Sequence, residues 1–217
     1  MRKFVFGFLL SLCAPLVHAV DGLVITDISG TVVTSGLNSI SGFSGTQSGT
    51  FGTLTATVDG TVSYTYLGSE AGFTNGAGTS TSSYSTFLNQ NAKYFSLAST
   101  TVGTSYTTTT TAGTLDFGFS TVYPTSYSGT AINGQTFTAS NTTSFIILSG
   151  GTINGVTYDY FIAYNDPYSG RPDYNDMVVG VNFVAAVPEA SDVALFASSL
   201  MCVGIAARVR RKRKVSA

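Results

Sequence analysis

Leu54-Thr55-Ala56-Thr57-Val58-Asp59-Gly60-Thr61-Val62-Ser63-Tyr64-Thr65-Tyr66 decides the fold class. On either side of Asp59-Gly60 the residues alternate between apolar or aromatic and hydroxyl-bearing side chains, with the period of two that a half-buried strand requires. Thr, Val and Tyr suit a pleated surface, and Asp-Gly marks the change of direction. A two-residue loop would put the two apolar sets on opposite faces. A three-residue loop over Val58-Asp59-Gly60, with Gly60 at positive φ, aligns them. The expectation is therefore a bulged hairpin in which Ala56 faces Val62 and Leu54 faces Tyr64.

The surrounding chain has the same character. Between Val20 and Val187 lie 32 Thr, 22 Ser, 22 Gly and all 12 Tyr, and no convincing amphipathic helical stretch of ten residues. Further strands are expected at Leu23 to Val33, Leu115 to Ser120, Thr143 to Leu148, Val156 to Tyr164 and Met177 to Ala185. Thr74 to Ser85 and Ser99 to Thr114, poor in large apolar residues, read as long loops or irregular edge strands. Phe87 to Leu97 has room for a turn or two of helix. Seven or eight strands separated by turn signals give an all-β body, a β-sandwich of jelly-roll-like kind spanning residues 20–186. The Thr tracts lack the fixed period that a stacked ice-binding face needs.

Charge is segregated along the 217 residues. Eight of ten Lys and Arg lie in the first three or last ten positions, so the body holds two bases, Lys93 and Arg171, against nine acids. A body that acidic does not suit nucleic acid as a partner. The single His is His18 and the two Cys are Cys13 and Cys202, all near the ends. If both ends are removed, the body lacks the residues for a Ser-His-Asp or Cys-His mechanism, a zinc site of the usual kind or a disulfide.

Residues 1–19 have the three parts of a secretory signal peptide: Arg2-Lys3, an apolar run from Phe4 to Val17, and small residues ending at Ala19, the expected cleavage point. The alternative is an uncleaved membrane anchor. Residues 187–217 also have three parts in order. Val187-Pro188-Glu189-Ala190 comes first, then an apolar stretch from Val193 to Ala207, then the basic cluster Arg208, Arg210, Arg211, Lys212, Arg213 and Lys214. Fifteen helical residues reach roughly 22 Å, short of the roughly 30 Å hydrocarbon core, so flanking and snorkelling residues must complete a single transmembrane helix. The basic cluster would keep the tail cytoplasmic and the body outside. This end resembles the PEP-CTERM sorting signal of Gram-negative bacteria, with Ala190 where the family usually has a second Pro. The resemblance implies exosortase and signal peptidase as processing enzymes, cutting near Pro188-Glu189, and transient residence in the inner membrane. It further implies a final place at the cell surface or outside, in bacteria that make exopolysaccharide, hence a matrix or biofilm role without enzymatic activity. A plain tail anchor is the alternative.

One cluster in the body carries potential chemistry: Asn165-Asp166-Pro167-Tyr168-Ser169-Gly170-Arg171-Pro172-Asp173-Tyr174-Asn175-Asp176, between two strong strand candidates. Its oxygen-rich side chains have two readings. Asp166, Asp173, Asn175 and Asp176 are candidate ligands for Ca²⁺, which takes six to eight hard oxygens in flexible geometry. Alternatively, Asx hydrogen bonds hold a turn. The run Asp173-Tyr174-Asn175-Asp176-Met177-Val178-Val179 and the segment Tyr66 to Asn75 also resemble elements of secreted PEP-CTERM proteins, which implies an extracellular β-protein and no known catalysis. Glu70, the body's one Glu, either joins the acidic loop or fixes its own turn. A calcium-stabilised carbohydrate-binding module, and a glycan hydrolase using Glu70 with Asp166 or Asp176, are the functional alternatives.

Overall fold

The computed structural model describes residues 22–71, 74–80, 93–96, 100–123, 129–167 and 172–186. The signal segment, the sorting motif at 187–190, the apolar stretch and the basic cluster lie outside them. Among the described residues no helix is long and apolar enough to cross a membrane.

The structure is all-β and sandwich-like, as the composition requires. The strands are β1 (Leu23–Thr34), β2 (Gln47–Ala56), β3 (Gly60–Gly68), β4 (Thr74–Gly78), β5 (Lys93–Ser96) and β6 (Ser105–Thr110). They continue with β7 (Gly113–Thr114), β8 (Gly118–Tyr123), β9 (Gly129–Ile132), β10 (Ser144–Ile153), β11 (Val156–Asn165) and β12 (Met177–Ala185). A 3-10 turn, Gly36–Ser39, follows β1. The large sheet runs β1-β2-β10-β11-β12-β3-β6, with β7 joined to β2, and the small sheet runs β5-β4-β8-β9. The expected strands at both ends of the body are found, and β12 has the expected bounds. β4 and β6 arise inside stretches read as loops or irregular edges, and β5 replaces the expected helical turn where 93–96 is described.

The opening hairpin does not form. Ala56 is flanked by Leu23 of β1 and Gly113 of β7, while Gly60 is flanked by Ala185 of β12 and Thr110 of β6. Both edges of each run are thus taken by other strands. The alternation was nevertheless real, because Leu54, Ala56, Val62 and Tyr64 are all buried in one core. Thr57-Val58-Asp59 forms an arch between strands that are four places apart in the sheet. In a flat sheet they would be separated by about 19 Å, whereas the connection can stretch only to about 14 Å. The large sheet must therefore curl strongly.

It curls far enough to bring its β6 end back beside β2. β1 holds one edge of β2 throughout, so β10, at Gly49 and Thr50, and β7, at Thr55 and Ala56, share the other. β6 lies on β3, and only Thr111-Ala112 separates it from β7. The path β2-β10-β11-β12-β3-β6-β7 returns to β2. Asp59 secures this junction: its carboxylate accepts the Ala112 N–H at 2.7 Å and its carbonyl accepts the Ala186 N–H at 2.8 Å. The Asp-Gly signal marks a real change of direction, but it serves an arch.

The small sheet covers the core through its aromatic residues. Phe119 stacks on Tyr164 of β11 with centroids 5.0 Å apart, and Phe117 approaches Tyr64 and Phe145 at 5.9 and 5.4 Å. Phe43, beyond the 3-10 turn, meets Phe161 edge-on at 5.1 Å. Phe161 to Asn165 are all buried, since neighbours cover β11 on both faces there. Gly180 in β12, between Phe161 and Thr65, keeps room for the Tyr158 ring: a Cβ there would sit 2.4 Å from Cδ1 and 2.9 Å from Cγ. Gly180→Ala is expected to cost about 1–3 kcal/mol in urea unfolding, because the crowded atoms belong to the inner part of a buried ring.

Candidate functional site

The acidic loop joins β11 to β12, as expected, and Tyr164 pairs with Met177 at its root. Its described residues are mostly withdrawn from solvent. Asn165, Asp166, Tyr174, Asn175 and Asp176 are all buried, and only Asp173 of the described acids in the loop is exposed. Tyr174 explains the inward fold. It adopts φ 61, unusual for a bulky residue, and its ring packs against Phe51 with centroids 6.2 Å apart. Burial of that side chain offsets the backbone strain.

Around it the polar groups form a connected web. The Asp166 N–H donates to Asp176 Oδ2 at 2.7 Å, and the two carboxyls are also in direct hydrogen-bond contact. Asn75 of β4 donates to Asp166 Oδ2 at 3.3 Å, and its own Oδ1 accepts from Thr121 of β8 at 2.6 Å. The Thr121 hydroxyl lies 3.0 Å from the Tyr164 hydroxyl. Asn165 donates to the carbonyls of Thr142 and Asp166 and accepts the Asp173 N–H at 3.0 Å. Two buried carboxyls in contact cannot both ionise cheaply. Burial first, and the Asp166 charge with it, pushes the Asp176 carboxyl up to about 7. Burial also pushes the Tyr164 phenol well above its usual range and raises Asp173.

The second half of the site is a rim. Asn175 Nδ2 donates to Glu70 Oε2 at 3.1 Å, to Ser39 Oγ at 3.1 Å and to the Gly36 carbonyl at 3.3 Å. The Glu70 N–H donates to the Asn175 carbonyl at 2.8 Å. Ser69 ties this turn to the hairpin, donating to the Asp176 carbonyl at 2.6 Å and accepting the Ala71 N–H at 3.2 Å. Glu70 therefore joins the acidic loop, and its neighbour Ser69 fixes the turn.

The four candidate ligands do not converge on one point. Asp166 and Asp176 face each other in the interior, whereas Asp173 and Asn175 lie beside Glu70 at the rim. Among the described residues no three His, Cys, Asp or Glu side chains are grouped to hold a metal ion. The reason is the connected web itself: backbone N–H and Asn amide donors claim the inner carboxylates, in the Asx manner that was the alternative. Asn75, Thr121, Tyr164, Ser39 and Ser69 were not anticipated. Ser69 and Asn75 fall within the Tyr66 to Asn75 segment noted above, though no role was attached to them; Thr121, Tyr164 and Ser39 belong to no local motif, and only the tertiary fold brings all five to the loop.

No protein-family model, curated protein or solved structure matches the chain. Fold and site together define an all-β, sandwich-like protein whose last hairpin is bound down by a buried polar web.

Proposed function

We propose that the chain is an exported, non-enzymatic protein of the cell surface or extracellular matrix, processed by signal peptidase after Ala19 and by exosortase near Pro188-Glu189. The observation that carries this reading is the ordered C-terminal sequence of sorting motif, apolar stretch and basic cluster. The fold is compatible with both cuts. β1 begins at Leu23, four residues after Ala19, and β12 ends at Ala185, before the motif. Neither cleavage would remove a described strand. The acidic, His-free and Cys-free body suits a structural component of an exopolysaccharide matrix, where thiols and metal-redox chemistry have no part.

Intact mass spectrometry of the protein from culture medium and from envelope fractions tests it. The expected species lacks residues 1–19 and everything beyond the motif. Recovery of the full-length chain as the sole steady-state form would overturn it.

A second reading, a carbohydrate-binding module, is favoured by one surface. On the β3–β6 edge, Ser63 and Thr107 hydroxyls lie 2.8 Å apart, with Thr61 beside Thr109, and the row runs inward to buried Thr65, 2.7 Å from Ser105. Such a hydroxyl row matches the hydrogen-bonding groups of a glycan. Calorimetric titration with a glycan panel distinguishes the readings, and absence of heat removes the second.

A further inference from the structure

We propose that Asn154 is a site of spontaneous self-modification at the tip of the β10–β11 hairpin. The main-chain nitrogen of Gly155 displaces the side-chain nitrogen as ammonia, and water then leaves a mixture of aspartate and isoaspartate. This inference is independent of the export reading.

The sequence holds three Asn-Gly pairs, at 75–76, 133–134 and 154–155. In each, the missing Cβ of glycine gives the following nitrogen access to the Asn side-chain carbonyl. The fold separates them. Asn75 is 1% exposed, its amide is bonded to Thr121, Asp166 and the Asp176 carbonyl, and Gly76 is paired on both sides by Ser96 and Ser120. Asn133 is 8% exposed and holds Leu54 and Leu115 through three hydrogen bonds. Either amide reaches the reactive geometry only after several interior bonds break. Asn154 is exposed, and its side chain has no hydrogen bond among the described residues. Asn154 at φ 51 and Gly155 at φ 79 form a two-residue loop closed by the Ile153–Val156 pair, with the positive φ values of a type I′ turn. The Gly155 N–H lies outside the ladder, and nothing stands within 4 Å of the place a Cβ would take. Only the two-residue tip has to turn for that nitrogen to meet Asn154 Cγ.

The chemistry needs only water and hydroxide. The Gly155 nitrogen gives its proton to hydroxide and bonds to Asn154 Cγ. The Cγ–Nδ2 bond breaks, and Nδ2 leaves as ammonia with a proton from water. One water then opens the five-membered succinimide. Attack at Cγ gives aspartate. Attack at the main-chain carbonyl gives isoaspartate, in which the main chain runs through Cβ and Cγ. Isoaspartate lengthens the tip by one carbon and removes its match to the twist of the flanking strands. The disturbance falls first on Ile153, which is buried and sits so close to Gly42 that a Cβ there would lie 2.6 Å from its Cγ2. Both products also add a negative charge to an already acidic body.

The test is ageing of the purified full chain in mildly alkaline buffer, followed by peptide mapping with tandem mass spectrometry and by thermal unfolding. The peptide holding Asn154 is expected to gain about 1 Da, as OH replaces NH2, and to split into two isomers. It should do so at least about tenfold faster than the peptides holding Asn75 and Asn133, which wait on interior opening. The aged chain should lose a few °C of Tm. Asn154→Gly keeps the positive φ of the turn and removes the reacting side chain, so its Tm should hold through the same ageing. An unmodified Asn154 peptide, or equal rates at all three positions, would overturn the proposal. Equal Tm losses in wild type and Asn154→Gly would sever the modification from the hairpin. Failure here leaves the mass-spectrometric test of processing untouched.

Discussion

Asn133→Ala is expected to lower unfolding stability by about 3 kcal/mol, a larger loss than most surface or strand substitutions cause. Asn133 sits just after β9, is 8% exposed, and substitutes for a missing strand. Its Oδ1 accepts the Leu54 N–H at 2.9 Å, and its Nδ2 donates to the carbonyls of Leu54 and Leu115, each at 2.8 Å. The Leu54 carbonyl retains a second donor in Leu115 N–H at 3.1 Å. The Leu115 carbonyl likewise keeps the Phe117 N–H at 3.2 Å, so the Leu54 N–H is the group left without the acceptor that Asn133 supplies, at a place where both leucine side chains are fully buried. Urea denaturation measures the cost, and an unchanged midpoint would contradict the structural role. The slope should stay constant, since the surface exposed on unfolding does not change.

The Asp166–Asp176 pair gives a second large effect, in pH. With the Asp176 carboxyl raised from 3.8 to about 7 in the folded state, unfolding between those values releases a proton. The stabilisation is complete below about pH 4 and is lost as pH rises through about 7. At about 1.4 kcal/mol per unit, the decline amounts to roughly 2–4 kcal/mol between pH 4 and pH 8, measured in chelator. Asp176→Asn should abolish most of this slope. An asparagine there keeps an oxygen for the Asp166 N–H and presents an N–H to the Asp166 carboxylate in place of the shared proton. The variant is therefore expected to be more stable than wild type at pH 8 and nearly equal at about pH 4. A wild-type chain that becomes more stable as pH rises from 5 to 8 would refute the assignment.

What sequence could reveal here was the inward face of each strand. Leu54, Ala56, Val62 and Tyr64 were read as one apolar set, and all four are buried. Which strand lies beside which was beyond its reach. Period-two alternation says which way a side chain points and nothing about the neighbour, so the shortest connection suggested a hairpin where the fold makes an arch. β4 and β6 were hidden for a related reason. Gly76, Ala77 and Gly78 offer little apolar signal, and their order comes from β8, where Ala77 pairs with Phe119 and Gly78 with Gly118. β6 is a run of Thr whose partner, β3, supplies its order. The acidic loop was located correctly from Asn165 to Asp176, but its sorting into an inner pair and an outer rim depends on Tyr174 turning inward. Neither Asn75, some ninety residues earlier, nor Ser39 announces its role locally.

The arch after β2 has a kinetic consequence. β2 finds its central neighbour only in β10, and β3 only in β12, so the first half of the chain contains strands whose partners are synthesised last. Such distant pairings place the protein among slow folders, on the scale of milliseconds to seconds. A polypeptide threading outward from its amino end stays incomplete until residues 177–185 emerge. Loss of that final segment would strip β3 and β11 of a shared neighbour together, splitting a continuous wall into two sticky margins prone to self-association.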